Sequence, residues 1–393
     1  MLRISVLFLV FFLLTGGTKS YGQIKYNLNY LQEAKSKIKN GDEEFRNAFD
    51  VLIKAADSIR KIKYFPRVTN KKLTPASSDI HDYVSMATYY WPNPKTNNGL
   101  PYIGIDGKVN PEVAGINNYS NLVHLSNRVK ILGLAYFFTS DDKYVKSAVS
   151  LLNVFFLRED TKMNPNFNHA QFIKGLNKGR IEGIVESRFF VDMLDGVELM
   201  KSSKSFGPEY YQGLRNWFTR FLGWMESSDL GKRGINLRNN IETVYHLQRI
   251  AYATFLGDKE KVVSIVNNNL LQLFNRQVNE SGEQGLELRR AKPVNYSVAN
   301  LKYWMDIEGI LNNNNVNFIF GKSAVNSRAK NALAAIKKMG VGNLDPYHEV
   351  QYKSLNLNLN QDSRSGIGVG TSKTSSRETI NSTEEAILVL TKF

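Results

Sequence analysis

Apolar residues recur at three- and four-residue spacing along most of the chain, which is the period of an amphipathic helix. Over 26–62 the stripe is Leu31, Ala34 and Ile38, then Phe45, Ala48, Phe49, Leu52 and Ile53. The period is lost over 63–116, where Tyr89-Tyr90-Trp91-Pro92-Asn93-Pro94, Pro101-Tyr102 and Asp106-Gly107-Lys108-Val109-Asn110-Pro111-Glu112 follow one another. Proline fixes φ and removes a backbone donor, so this stretch is predicted to be a long ordered loop or lid rich in aromatic rings. Helical spacing resumes with Leu122, Leu125, Val129, Leu132 and Tyr136, and again with Val145, Val149, Leu152 and Phe156 behind a capping Asp141. After a polar break at 164–171, helices are predicted over 180–201, 208–226, 240–256, 258–278, 296–312 and about 323–339.

One internal echo bears on architecture. Residues 134–143, Leu-Ala-Tyr-Phe-Phe-Thr-Ser-Asp-Asp-Lys, resemble residues 250–259, Ile-Ala-Tyr-Ala-Thr-Phe-Leu-Gly-Asp-Lys. Each reads as an apolar helix end, a tight turn and an Asp cap. Repeated antiparallel helix hairpins imply an all-α fold closing into an α/α toroid, an incomplete α/α barrel. In the tail, Asp345-Pro346 is predicted to open a short helix through Tyr352, and Leu355, Leu357 and Leu359 alternate. Residues 354–380 are rich in Asn, Ser, Gly and Thr, and 360–380 read as a loop. Ser382 with Glu385 forms a capping box ahead of 386–390, a last helix expected to dock on the body. The expected organisation is a leader at 1–22, a toroid domain at 23–340 and a C-terminal extension at 341–393.

The leader is read from Arg3, an apolar run at 4–14 and the small residues Thr15-Gly16-Gly17, the pattern of a secretory signal rather than a membrane span. Export, to the periplasm or beyond, is therefore expected, with no membrane segment in the mature chain. The sequence has no cysteine, so neither a disulfide nor a lipid-modified cysteine is available. The formal charge is +15, and still +13 without Arg3 and Lys19. An excess of this size favours a polyanionic partner, which for an exported protein means an acidic polysaccharide. Nucleic acid is the weaker reading because no zinc finger or helix-turn-helix pattern is present. No His-Glu-x-x-His or carboxylate loop supports a metal, and no cofactor is expected.

The residue types gathered between 234 and 303 fit one chemistry. A uronate polymer breaks by β-elimination when a base removes the C5 proton and the C4 oxygen leaves. Removing that proton builds negative charge beside a carboxylate, so the site must aim donors at the carboxylate and supply a base and an acid. Asn239, Asn240, Arg290 and Tyr296 have the required groups: amide donors, a planar guanidinium fork, and a phenol. Each also has a plain structural use. An Asn pair before a helix serves as a cap, a helical Tyr packs in a core, and Arg289-Arg290 can be a surface pair.

Over about 82–312 the chain resembles the alginate lyase family, related to polysaccharide lyase family five. The motifs that carry the resemblance are Asp82 through Pro94, Asp106-Gly107 with Asn110-Pro111-Glu112, and Met163 through Gln171 with Gly179-Arg180 and Gly183-Ile184. They continue with Asn239-Asn240, Gln248 and Leu256-Gly257-Asp258, then Glu287-Leu288 with Arg290, and Tyr296-Ser297 with Asn300-Leu301. The resemblance implies an α/α toroid and eliminative cleavage of alginate or a similar uronate polymer. It implies Tyr296 as base and acid, Asn240 and Arg290 as the groups that neutralise the carboxylate, and Asn239 as their neighbour. Trp91, Tyr90, Arg180 and Gln171 are expected to bind sugar. The family pattern has His directly after the Asn pair, where this chain has Ile241, and Gly285 and Ala291 also differ. His169, in the third motif, is a candidate replacement as well as a candidate structural histidine; His246 points to another helix face. Ile241 leaves two readings, a lyase and a paralogue that binds acidic polysaccharide without cutting it.

Overall fold

The computed structural model describes residues 24–316, 323–359 and 382–392. The leader at 1–22 and the polar stretch at 360–380 lie outside these residues. Thirteen α-helices and four short strands are found among the described residues. The strands are confined to the segment predicted as a loop and to the polar break. β1 (Val84–Met86) pairs in parallel with β4 (His169–Phe172), and β2 (Tyr90–Trp91) pairs antiparallel with β3 (Ile103–Gly104).

The helices form where the apolar spacing places them. α1 (Leu28–Lys39) buries Leu31 and Ala34, and α2 (Glu43–Lys61) buries Phe45, Ala48, Leu52 and Ala56 on one stripe. α3 (Asn117–Thr139) ends at Ser140, a left-handed residue at φ 57°, and Asp141 then caps α4 (Asp142–Leu152) through the Lys143 amide. α7 (Asn240–Leu256) ends the same way at Gly257, φ 73°, and Asp258 caps α8 (Lys259–Ile265) through the Lys261 amide. The echo between 134–143 and 250–259 is thus one hairpin used twice. The run predicted at 258–278 is helical throughout, with a wider turn at Val266–Leu270 between α8 and α9 (Leu271–Gln277). The run at 180–201 begins as a tighter 3₁₀ turn, Ile181–Arg188, before α5 (Phe189–Met200).

Helix packing closes a ring. α3 packs on α2 and α5, α5 on α7, and α7 on α10 (Pro293–Asn313). α10 packs on α12 (Pro346–Leu359), α12 on α13 (Thr383–Thr391), and α13 returns to α2. α4, α6 (Pro208–Ser227), α8 and α11 (Ser323–Lys338) flank this ring. The order is that of an all-α toroid. Between the rows of helices Phe156, Phe190, Trp217, Phe218, Phe221 and Tyr252 interlock, mostly edge to face, with ring centroids 4.8–6.2 Å apart in the contacts that join them. The tail differs from its expectation. The alternation of Leu355, Leu357 and Leu359 is not a strand: α12 continues to Leu359, burying Leu355 and Leu359 one turn apart while Leu357 faces out.

Where α3 crosses α5, no side chain separates the backbones. A Cβ on Gly133 would lie 2.5 Å from Gly196 Cα, and one on Gly196 would lie 2.6 Å from the Val129 carbonyl oxygen. Gly196→Ala must push the helices apart, and overpacking of this kind costs about 3 kcal/mol. The urea midpoint is expected to fall while the steepness of the transition stays the same; an unchanged midpoint would contradict the close crossing.

Candidate active site

The entrances of α7 and α10 lie at one end of the ring and are tied together by a buried amide. Gln277 Nε2 donates to the Arg238 and Asn239 carbonyls, while its Oε1 accepts from Thr243 Oγ1, Asn300 Nδ2 and Trp304 Nε1 at 2.8–3.2 Å. Asn239 is the cap of α7: its side-chain oxygen accepts from the Ile241 amide at 3.1 Å. That is the plain structural use weighed for the Asn pair, and Asn239 fills it. Asn240 is different. Its backbone N–H donates to Glu287 Oε1 at 2.8 Å, its side-chain oxygen is buried without a partner, and no acceptor takes its amide N–H groups among the described residues.

Arg290 and Tyr296 meet directly. The guanidinium carbon lies 3.9 Å from the centre of the Tyr296 ring. Proline at the first position of α10 fixes the entry of that helix and places Tyr296 in its first turn. Arg290 is also gripped from the long loop. Its Nε and Nη2 donate to the two oxygens of Asp106 at 3.0 and 2.9 Å, and the Ala291 amide donates to the same carboxylate at 2.9 Å. These bonds hold the Asp106 carboxyl below the usual carboxylate range. Gly107, at φ 75°, allows the loop to approach, since a Cβ there would lie 2.8 Å from Ala291 Cβ. A guanidinium has five N–H donors. Asp106 engages the Nε–Nη2 edge, so the Nη1 side remains available to a second carboxylate.

The Tyr296 hydroxyl donates to the Tyr89 hydroxyl at 3.1 Å. Burial, then this bond to Tyr89, push the Tyr296 phenol well above its ordinary pKa, against a downward pull from Arg290. Tyr296 at rest is therefore protonated at neutral pH.

Tyr89 leads into a second group of candidates. The Tyr90 ring has the Arg180 guanidinium carbon 5.2 Å from its centre, and Arg180 Nη2 donates to Gln171 Oε1 at 2.7 Å. Gln171 holds a left-handed backbone, φ 48°, and its N–H donates to Ser85 Oγ, which itself donates to the buried Glu186 carboxylate. His169 is buried on β4, with Nδ1 donating to the Lys178 carbonyl at 3.2 Å and Nε2 3.6 Å from Asp82 Oδ2. Its ring nitrogens thus face protein groups, and among the described residues it hydrogen-bonds neither Tyr296 nor Arg290. Burial pushes Asp82 upward, but hydrogen bonds from Ser77, Asn164 and Asn166, with the nearby His169, leave its carboxyl below the usual range. Trp91 donates its indole N–H to the Lys108 carbonyl, with the Lys108 ammonium 4.7 Å above its ring. Tyr102 is buried with its hydroxyl on Glu112, so it serves the loop's own packing. His246 is fully buried, its Nδ1 lies 3.2 Å from Arg249 Nη1, and burial lowers its pKa. No cluster of metal-ligating side chains exists, and no helix is long and apolar enough to cross a membrane, among the described residues.

Sequence reasoning singled out none of Asp106, Glu287 and Gln277 as site residues. Asp106 and Glu287 lie inside quoted motifs, but nothing local shows that one grips Arg290 and the other the Asn240 amide. Glu287 is buried with Oε2 unpartnered, and burial, opposed by the Asn240 amide and Arg290, pushes its pKa up to about 6. The folded protein therefore binds this proton more tightly than the unfolded chain, and stability falls as pH rises from about 4.5 to about 6. The loss is about 2 kcal/mol at 1.36 kcal/mol per unit. In Glu287→Gln this pH-dependent loss is expected to vanish. Urea midpoints at pH 4.5 and 7.5 for both proteins check it, and equal pH dependence in the two would contradict the assignment.

Comparison with known proteins bears on the fold and the family. The sequence model of the alginate lyase family matches residues 67–342. The crystal structure of an alginate lyase from Bacteroides ovatus is similar over 94% of this chain and 98% of that chain, with 29% sequence identity and a TM-score of 0.82. Alginate lyase A1-III from Sphingomonas species A1 is similar over 80% of each chain, with 13% identity and a TM-score of 0.46. Curated protein sequences give no match. The chain, an all-α toroid with an amide, a guanidinium and a phenol gathered at one end of its ring, belongs to the alginate lyase family.

Proposed function

We propose that the protein is an exported polysaccharide lyase that cleaves an acidic, uronate-containing polysaccharide such as alginate by β-elimination. The observation that carries this reading is the contact between the Arg290 guanidinium and the Tyr296 ring, 3.9 Å from its centre, beside the open Asn240 amide. The uronate carboxylate is received by the Nη1 side of Arg290 and the Asn240 amide, which lower the cost of charge building at C5. Incoming sugar displaces Tyr89 from Tyr296. This removes an influence that raises the phenol pKa and leaves the lowering pull of Arg290. The phenol proton of Tyr296 is first lost to solvent; the phenolate then takes the C5 proton, the electron pair left at C5 forms the C4–C5 double bond, and the C4–O bond breaks. The C5 proton passes to the leaving oxygen, which returns Tyr296 to phenolate, and solvent reprotonates it. Tyr90, Arg180, Gln171 and Trp91, next to Tyr89 in the chain or bonded to its neighbours, supply ring faces and polar groups to the sugar, and His169 and Asn239 hold the surrounding backbone. The basic charge of the chain draws in the polyanion, and the leader-like residues 1–22 support export to the periplasm or beyond.

The test is the absorbance of the unsaturated uronate product when pure protein meets alginate, glucuronan or related polymers. Absence of product from every uronate polymer, with binding retained, would leave a binding protein only. Ile241 refines the test. It is half-buried against the core and offers no donor. Ile241→His adds one donor beside Asn240, and kcat on the preferred polymer is expected to rise about tenfold. No gain would mean that the two donors present already suffice.

A further inference from the structure

The ring of inner helices encloses a cavity of 690 Å³, distinct in its residues from the group around Tyr296. Its walls come from α3, α5, α7, α10, α12 and α13, the helices whose packing closes the ring. Tyr303 and Leu247 line it, each seven residues along α10 and α7 from Tyr296 and Asn240. At 1.5 Å per residue, the cavity begins about 10 Å deeper along the ring than the reacting groups.

Its walls carry four Lys and Arg cations and four carboxylates, but these are not evenly placed: the fourth carboxylate, Asp345, is taken by His348 and Asn295. Lys130 is paired with Glu384, Lys25 with Asp192, and Lys302 with Asp306. Arg188 has no carboxylate within 4.0 Å among the described residues. Its Nη1 donates to the Val185 carbonyl at 2.8 Å and its Nε to the Tyr347 hydroxyl at 3.2 Å, which leaves donors on the guanidinium for a ligand. Aromatic rings hold it: its guanidinium carbon is 4.1 Å from the centre of Phe189 and 5.3 Å from that of Tyr347. A second observation lies on the same wall. Gln351 is 8% exposed, lines the cavity, and its side-chain oxygen has no hydrogen-bond partner. An orphaned acceptor in a buried site calls for a ligand with an N–H or O–H. The cavity thus asks for an anionic group at Arg188 and a hydroxyl-type donor at Gln351, between aromatic walls, in a volume usual for small-ligand pockets. Sulfate and chloride have no donor. A hydroxylated carboxylate meets all three demands.

We propose that this cavity is a second binding site, for an acidic sugar: a single uronate or the carboxylate end of a short oligouronate. The carboxylate takes the unused N–H groups of Arg188, the sugar hydroxyls face Gln351, and the ring packs on the tyrosines. The choice of uronate rests on the function proposed above; the demand for a hydroxylated anion does not.

The experiment is calorimetric titration of the full chain carrying Tyr296→Phe, so that turnover is slowed about a thousandfold, with dimannuronate and diglucuronate. Two molecules per chain are expected to bind. Adding Arg188→Gln should remove one of them or weaken it by at least about thirtyfold, the low end of what truncating one partner of a buried charged pair costs. Gln351→Leu should weaken the same site by about tenfold and keeps the proposal testable if the Arg188 variant does not fold. Unchanged binding in both variants with unchanged melting temperature overturns the proposal, as does equally tight binding of neutral cellobiose or of inorganic sulfate. The two readings fail separately. Wild-type protein that cleaves polymer while dimer binding ignores Arg188 sinks only the second site. Arg188-dependent dimer binding without cleavage of any uronate polymer sinks only the lyase.

Discussion

Replacing Tyr296 by Phe is expected to lower the rate of eliminative cleavage by about a thousandfold, within the range for a positioned acid–base group. The change removes one oxygen and leaves the ring. Arg290 keeps its aromatic face, so the guanidinium carbon stays 3.9 Å from the same ring centre, and α10 keeps its entry at Pro293. The melting temperature should not move by more than a degree or two, which separates lost chemistry from lost structure. Initial rates of product absorbance, with KM determined alongside, give the measurement. A variant that keeps more than a tenth of the wild-type kcat would mean that another group moves the proton.

The second large effect is expected from Arg290→Lys, which keeps the charge and loses the fork. One ammonium cannot donate along a planar edge to both oxygens of Asp106, lie flat on Tyr296, and still present N–H groups to a substrate carboxylate. We expect kcat/KM to fall about a hundredfold, the scale for loss of one preorganised donor at a site of developing charge. The fall should lie mostly in kcat, because the basic protein still attracts the polymer. A variant with wild-type kcat would show that positive charge alone is enough and that the geometry of the fork does nothing for the reaction.

Much of the scaffold could be read from sequence because burial here follows helical spacing closely. Leu31 and Ala34, or Leu122, Leu125, Val129 and Leu132, are fully buried where their period places them. The hairpin at 134–143 and its echo at 250–259 were readable for the same reason, as Asp caps and left-handed turn residues are local chemistry. α12 was cut short because Leu355, Leu357 and Leu359 are as consistent with a strand as with a helix that exposes one of the three. The helices packing against it, α10, α11 and α13, decide the matter. The meeting of Arg290 with Tyr296 was foreseen through family motifs rather than spacing. What joins them to the rest was hidden. Asp106 reaches Arg290 across 184 positions of sequence, and Gln277, the last residue of the mixed helix α9, ties α7 to α10. Contacts between distant segments leave no periodic trace, so neither could be picked out beforehand.

The loop that carries Tyr89 and Asp106 is bonded to Tyr296 through one of them and to Arg290 through the other. On the function proposed above, the protein at rest occupies its own reactive groups. Substrate entry and loop release are then expected to be one coupled equilibrium, with the apparent affinity for polymer scaled by the fraction of molecules whose loop has let go. Added salt weakens the exposed Asp106–Arg290 grip and the attraction of polymer to the basic surface together. Ionic strength thus acts on saturation in two opposed directions, and cleavage should pass through a maximum at intermediate salt.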